Sequence, residues 1–113
     1  MHELGIADAM LKTVGDILKN ENMSGAESVT VELGDLSGVV PRFLSSAWEA
    51  VTDGTEFEHT ELIIVRVPGN ARCEDCGAVF EIDLDNMRCP KCGRERLTPI
   101  SGRDMTISEI AAY

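Results

Sequence analysis

The only four cysteines in this chain stand in two pairs, Cys73-Glu74-Asp75-Cys76-Gly77 and Cys89-Pro90-Lys91-Cys92-Gly93. A two-residue gap lets one tight turn aim both sulfurs at the same point. The glycine behind each pair lets the chain fold back beneath them, where backbone N–H groups can bond to thiolate. Two such turns placed face to face make a tetrahedral four-sulfur site, the donor set of zinc or iron. Two disulfides are the alternative. The first twenty residues carry no basic region of the kind that opens a secretory signal peptide. The thiols are therefore expected to stay reduced in a cytoplasmic setting, and a metal site is expected, with zinc ahead of iron.

A second candidate lies at the amino terminus, which reads Met1-His2-Glu3. The imidazole of His2, the α-amine and the first backbone nitrogens can all reach one metal ion. Nitrogen donors in a plane suit Ni(II) or Cu(II). Metallating a backbone amide displaces its proton, so such binding strengthens as pH rises. Taken on spacing alone, His2 reads as a solvated residue on a frayed end before it reads as a ligand.

Other motifs carry less. Glu56-Phe57-Glu58-His59 has the Glu-x-x-His spacing of di-iron bundles, but it occurs once and falls in a loop, so His59 reads as a surface residue. Gly34, Gly38 and Gly54 belong to no phosphate-binding sequence. Glu32 and Asp35 read as solvated acids. Trp48 reads as core.

The elements that hold these residues can be read in order. Leu4 to Lys19 predicts a helix, with Ala7, Leu11, Val14 and Leu18 on one face and Met10 and Ile17 beside them. Asp8 and Lys12 form an i, i+4 pair on the other face. Ser28 to Leu33 alternates as a half-buried strand. Pro41 opens a second helix, whose stripe is Leu44, Ala47, Trp48 and Val51. Gly54 closes it. Leu62 to Val67 predicts a second strand, ended by Pro68-Gly69. Val79, Phe80 and Ile82 predict a short strand inside the cysteine module, and Met105 to Ile110 a last one. The expected fold is α+β: two helices on a small mixed three-stranded sheet, with an inserted four-cysteine zinc-ribbon module. Residues 1–69 with 101–113 form one expected domain and 70–100 the other. A module of about thirty residues cannot bury enough apolar surface to fold alone, so its metal must hold it together.

Charge narrows the partners. The net charge is −10, and residues 1–70 hold four basic against twelve acidic side chains. A phosphate-binding face needs concentrated Lys and Arg, so nucleic acid is not expected. Six basic residues do gather near the cysteines: Arg72, Arg88, Lys91, Arg94, Arg96 and Arg103. They read as a solvated rim before they read as a docking patch. No apolar run is long enough to cross a membrane.

Several stretches together resemble the hydrogenase maturation nickel metallochaperone family (HypA/HybF). Met1-His2-Glu3-Leu4 opens the chain as that family does. Val31-Glu32-Leu33-Gly34-Asp35-Leu36-Ser37-Gly38-Val39 resembles its first strand and the loop after it. Phe43 to Thr55, with Trp48-Glu49-Ala50-Val51-Thr52-Asp53-Gly54-Thr55, resembles its second helix. The two cysteine pairs match its zinc module, and Gly102-Arg103-Asp104-Met105 sits where its last strand begins. The resemblance implies a non-enzymatic carrier that takes Ni(II) at His2 and the backbone nitrogens of Met1, His2 and Glu3. The Glu3 side chain would tune that site or contact a partner. Cys73, Cys76, Cys89 and Cys92 would hold structural Zn(II). The implied partners are a nickel-loading GTPase maturation factor and the large-subunit precursor of a [NiFe]-hydrogenase. Weak self-association is a further expectation. Two readings compete: an electron carrier with iron in the four-sulfur site, and a zinc ribbon that binds nucleic acid.

Overall fold

A computed structural model describes residues 2–113. The first helix, α1, spans His2–Asn20. Its buried side chains are Glu3, Ala7, Met10, Val14 and Leu18, a run of fours and threes that keeps one face inward. The expected stripe is thus rotated slightly. Met10 is buried, Leu11 is half-buried, and Ile17 is exposed. The helix also starts two residues earlier than its apolar pattern indicates, so His2 lies on its first turn.

Strand β1 (Ala26–Gly34) follows, with Val29, Val31 and Leu33 buried. Helix α2 (Pro41–Thr52) begins at the proline, whose missing N–H costs nothing in a first turn. It buries Leu44, Ala47, Trp48 and Thr52 and packs against α1. The Trp48 indole N–H donates to the Thr60 carbonyl at 2.9 Å, and the Thr60 hydroxyl donates to the Ala26 carbonyl at 2.7 Å. These two bonds satisfy polar atoms that would be costly to bury unpaired. Strand β2 (Glu61–Val67) comes next, and β6 (Met105–Ala112) ends the chain. The three form one sheet in the order β2-β1-β6.

Between β2 and β6 lie three short strands: β3 (Asn70–Cys73), β4 (Val79–Glu81) and β5 (Leu97–Pro99). They form a second sheet in the order β4-β3-β5, antiparallel throughout. Ala71 faces Phe80 on one side and Pro99 on the other. The fold is therefore α+β, with two helices, two three-stranded sheets and the cysteines clustered. The sequence pattern shows β4 but not β3 or β5, which are too short and too poor in β-branched residues to announce themselves. The proline of β5 is tolerated because β5 is an edge strand.

The chain divides into two compact units. One holds the residues up to Glu32, Val39–Val65 and Thr106–Tyr113; the other holds Leu33–Gly38 and Arg66–Met105. In the second unit, the N–H groups of Gly34 and Leu36 bond to the carbonyls of Asp104 and Gly102 at 2.9 and 2.8 Å. A methyl group on Gly34 would collide with the Gly102 carbonyl, so this crossing requires glycine. Asp35 is held there by Arg66 at 3.0 Å.

Candidate metal centre

Each cysteine pair sits on the same small turn. The Cys73 N–H bonds to the Ala78 carbonyl at 2.9 Å, and the Gly77 N–H returns to the Cys73 carbonyl at 2.8 Å. The second turn repeats the pattern: Cys89 N–H to Arg94 carbonyl at 2.8 Å, and Gly93 N–H to Cys89 carbonyl at 2.8 Å. Gly77 and Gly93 take φ of +77° and +76°, which a side chain would resist. Strand β3 delivers Cys73, and its pairing with β4 and β5 fixes where that turn begins.

The four sulfurs converge. Cys73 Sγ lies 3.6 Å from Cys92 Sγ, and Cys76 Sγ lies 3.5 Å from Cys89 Sγ. All four lie within 4.8 Å of one another. Zn–S bonds of ~2.3 Å at tetrahedral angles set neighbouring sulfurs about 3.8 Å apart, so the cluster has the size of a four-sulfur metal site. No disulfide joins any of them. One cysteine of each pair, Cys73 and Cys89, is buried, while Cys76 and Cys92 are exposed.

Local donors divide the sulfurs. Burial opposes ionisation of Cys89, but the N–H groups of Cys92 and Lys91, both 3.4 Å from its sulfur, outweigh it and lower the thiol to about 6. At Cys92 the Arg94 N–H favours the thiolate. Desolvation and hydrogen bonding with the neighbouring sulfurs outweigh it and push the thiol up to about 12. At Cys76 the Ala78 N–H likewise favours the thiolate. The contact with Cys89 and desolvation prevail, and the thiol is raised. Cys89 is thus the sulfur that meets an arriving cation already as thiolate.

The basic residues around the cysteines are largely paired with acids. Arg94 and Arg96 reach Asp75 at 3.6 and 3.2 Å, Arg88 reaches Glu95 at 3.0 Å, and Arg72 reaches Glu74 at 3.6 Å. Thr98 donates a hydrogen bond to the Glu74 carboxylate at 2.6 Å. That bond is the main cause of its lowered pKa. Such exposed pairs contribute little stability, but they neutralise most of the cationic face that a polyanion would need.

The amino-terminal candidates fall in the other unit. His2 is exposed on the first turn of α1. Met1 lies outside the described residues, so its part in the expected nickel site has no structural counterpart here. Glu3 is the surprise: it is 7% exposed, and its Oε2 accepts the Val40 N–H at 3.4 Å. Its position four residues before Ala7 is the one signal of that burial in the sequence. Glu3, expected to tune the site or contact a partner, is turned inward, while Asp8 is exposed and pairs with Lys12 at 3.1 Å as its spacing predicts. His59 is exposed in the turn after α2, and the Glu-x-x-His spacing assembles no ligand cluster among the described residues.

Known proteins agree with this arrangement. The family model described as hydrogenase/urease nickel incorporation, metallochaperone, HypA matches residues 1–112. The hydrogenase maturation factor HypA of Aquifex aeolicus is 36% identical over 110 residues, covering 97% of this chain and 96% of that protein. The HypA of Dechloromonas aromatica is 34% identical over 110 residues, 97% of both. The solution structure of the Ni metallochaperone HypA from Helicobacter pylori superposes with a TM-score of 0.67 at 22% identity, over 97% of this chain and 96% of that one. A second HypA solution structure gives 0.70 at 23% identity, over 100% and 97%. At those identities the two structures speak for the fold, and the relatives above 30% speak for descent. Matched by one family model over residues 1–112, this chain belongs to the HypA family of hydrogenase/urease nickel-incorporation metallochaperones.

Proposed function

We propose that this protein carries Ni(II) at its amino terminus and passes it, with a GTPase maturation factor, to the large-subunit precursor of a [NiFe]-hydrogenase in the cytoplasm. The α-amine, the first backbone nitrogens and the His2 imidazole take the ion. The observation that carries this reading is the placement of His2 at the very start of α1 with its side chain exposed. The first amides of a helix have no intrahelical acceptor, so metallating them breaks no helical bond. A shallow site on a chain end also suits a carrier, which must release what it binds.

Zn(II) is the proposed occupant of the Cys73, Cys76, Cys89 and Cys92 cluster, where it would cross-link the two turns and hold the small sheet together. The sulfur spacing supports it. No catalytic role is assigned to either site.

Metal analysis tests both assignments at once. Protein purified with its natural start should carry about one zinc per chain, and added nickel should bind beside it without displacing it. Nickel that enters only as zinc leaves would place both ions at the cysteines and overturn the scheme. Red iron–thiolate absorption in the purified protein would favour an electron carrier instead.

A further inference from the structure

We propose that Asp75 is a positioning residue for the zinc site: paired with Arg94 and Arg96, it fastens the first cysteine turn to the second and sets how long the metal is held. The inference rests on the zinc reading of the cysteine cluster and deepens it.

Two separate turns supply two sulfurs each, and a metal that joins them must keep them together. Strand pairing does part of that work. β5 pairs with β3 as far as Cys73, which lies opposite Leu97. One further backbone bond, from the Glu74 N–H to the Arg96 carbonyl at 2.8 Å, carries the contact past the strands. Asp75 continues it with its side chain. Its Oδ1 accepts a hydrogen bond from the Arg96 guanidinium at 3.2 Å and lies 3.6 Å from that of Arg94. Asp75 stands between Cys73 and Cys76, and Arg94 follows Gly93 of the second turn. Arg94 also closes that turn, because its carbonyl accepts the Cys89 N–H at 2.8 Å. It therefore has its backbone in one turn and its guanidinium on the other.

Most exposed ion pairs are worth little. Here the backbone of Asp75 faces solvent, but its side chain is only 15% exposed, and two guanidinium groups converge on one oxygen. The Arg88–Glu95 pair, at 3.0 Å, is different: both residues flank the second turn, so it joins nothing across the site. A metal leaves four sulfurs one bond at a time. A clamp between the turns keeps a detached sulfur at high effective concentration, so it rebinds before a competitor takes the ion. Charge alone would act otherwise. Four thiolates around one Zn(II) leave a centre of net negative charge, which a nearby carboxylate weakens and nearby arginines strengthen. The clamp needs both.

The test uses full-length, zinc-loaded protein and follows zinc release to a chromophoric chelator at several salt concentrations. The native chain is compared with Asp75→Ala, with the double variant Arg94→Gln and Arg96→Gln, and with Glu95→Ala. Replacing zinc by Co(II) in each shows from its absorption that the same four sulfurs bind. Asp75→Ala and the double variant should each release zinc about fivefold faster, the ratio expected at the upper end of the surface-pair range. Glu95→Ala should release it at the native rate. Salt screens exposed pairs, so native release should quicken as salt rises, while the two clamp variants stay fast throughout. Release from Asp75→Ala at or below the native rate would reduce the carboxylate to its charge and overturn the proposal. Equal acceleration in Glu95→Ala would overturn it too, since any acid near the turns would then suffice. Both results leave the zinc reading standing. Native protein isolated without zinc would remove that reading and this inference with it.

Discussion

Cys89 receives two backbone N–H groups on a buried sulfur, and that geometry favours its thiolate, the form that binds a metal. Its thiol is lowered from 9.0 to about 6. The sign follows directly. A depressed pKa leaves Cys89 a thiolate from the ordinary thiol range down to about 6 before a metal arrives, and a bound cation, which competes with the proton, holds it as thiolate to lower pH still. Zinc should therefore stay bound at neutral pH and be released only below about 6, which a chromophoric chelator would follow. Release beginning near pH 9 would contradict the assignment of Cys89 as the anchoring sulfur. The cysteines were fully legible in the sequence, because their spacing and the glycines behind them dictate the turn. Glu3 was not. A charged residue ahead of an apolar stripe reads as solvent-facing, and only the distant Val40 N–H explains why it turns inward.

At the scale of the element, α1 and α2 are read by what they bury. Leu44 is 0% exposed in the core shared by the helices, and Leu4 is 42% exposed. Leu44→Ala should cost about 3 kcal/mol, and Leu4→Ala no more than about 0.5 kcal/mol. Denaturant unfolding followed by circular dichroism would measure both, and similar losses would mean that the helix faces are misassigned. Both helices and the three strands of the larger sheet were legible, since each repeats its pattern over enough residues to be counted. The rotation of the α1 stripe from Leu11 to Met10 was not, because adjacent apolar residues leave the period ambiguous. Strands β3 and β5 escaped for a different reason. Their partners, not their composition, make them strands: Asn70–Cys73 pairs on both sides, and Leu97–Pro99 exists only as its edge.

Across the whole molecule, the cysteine cluster and the proposed nickel site fall in different units. Sulfur donors are built into a sheet whose strands are three or four residues long. Nitrogen donors are proposed at the end of a helix whose packing does not need them. The net charge of −10 suits attraction of a cation and of basic surfaces, and it argues against nucleic acid. The central claim is that the first residues take nickel and that nothing structural depends on their doing so. Calorimetric titration of nickel into three proteins tests it most directly: the natural start, His2→Ala, and a start extended by a residue before Met1. His2→Ala should leave stability within about 0.5 kcal/mol, as expected of an exposed side chain, yet abolish specific nickel binding. The extension replaces the α-amine with a poorly basic amide and should do nearly the same. Equal nickel affinity in all three would contradict the account.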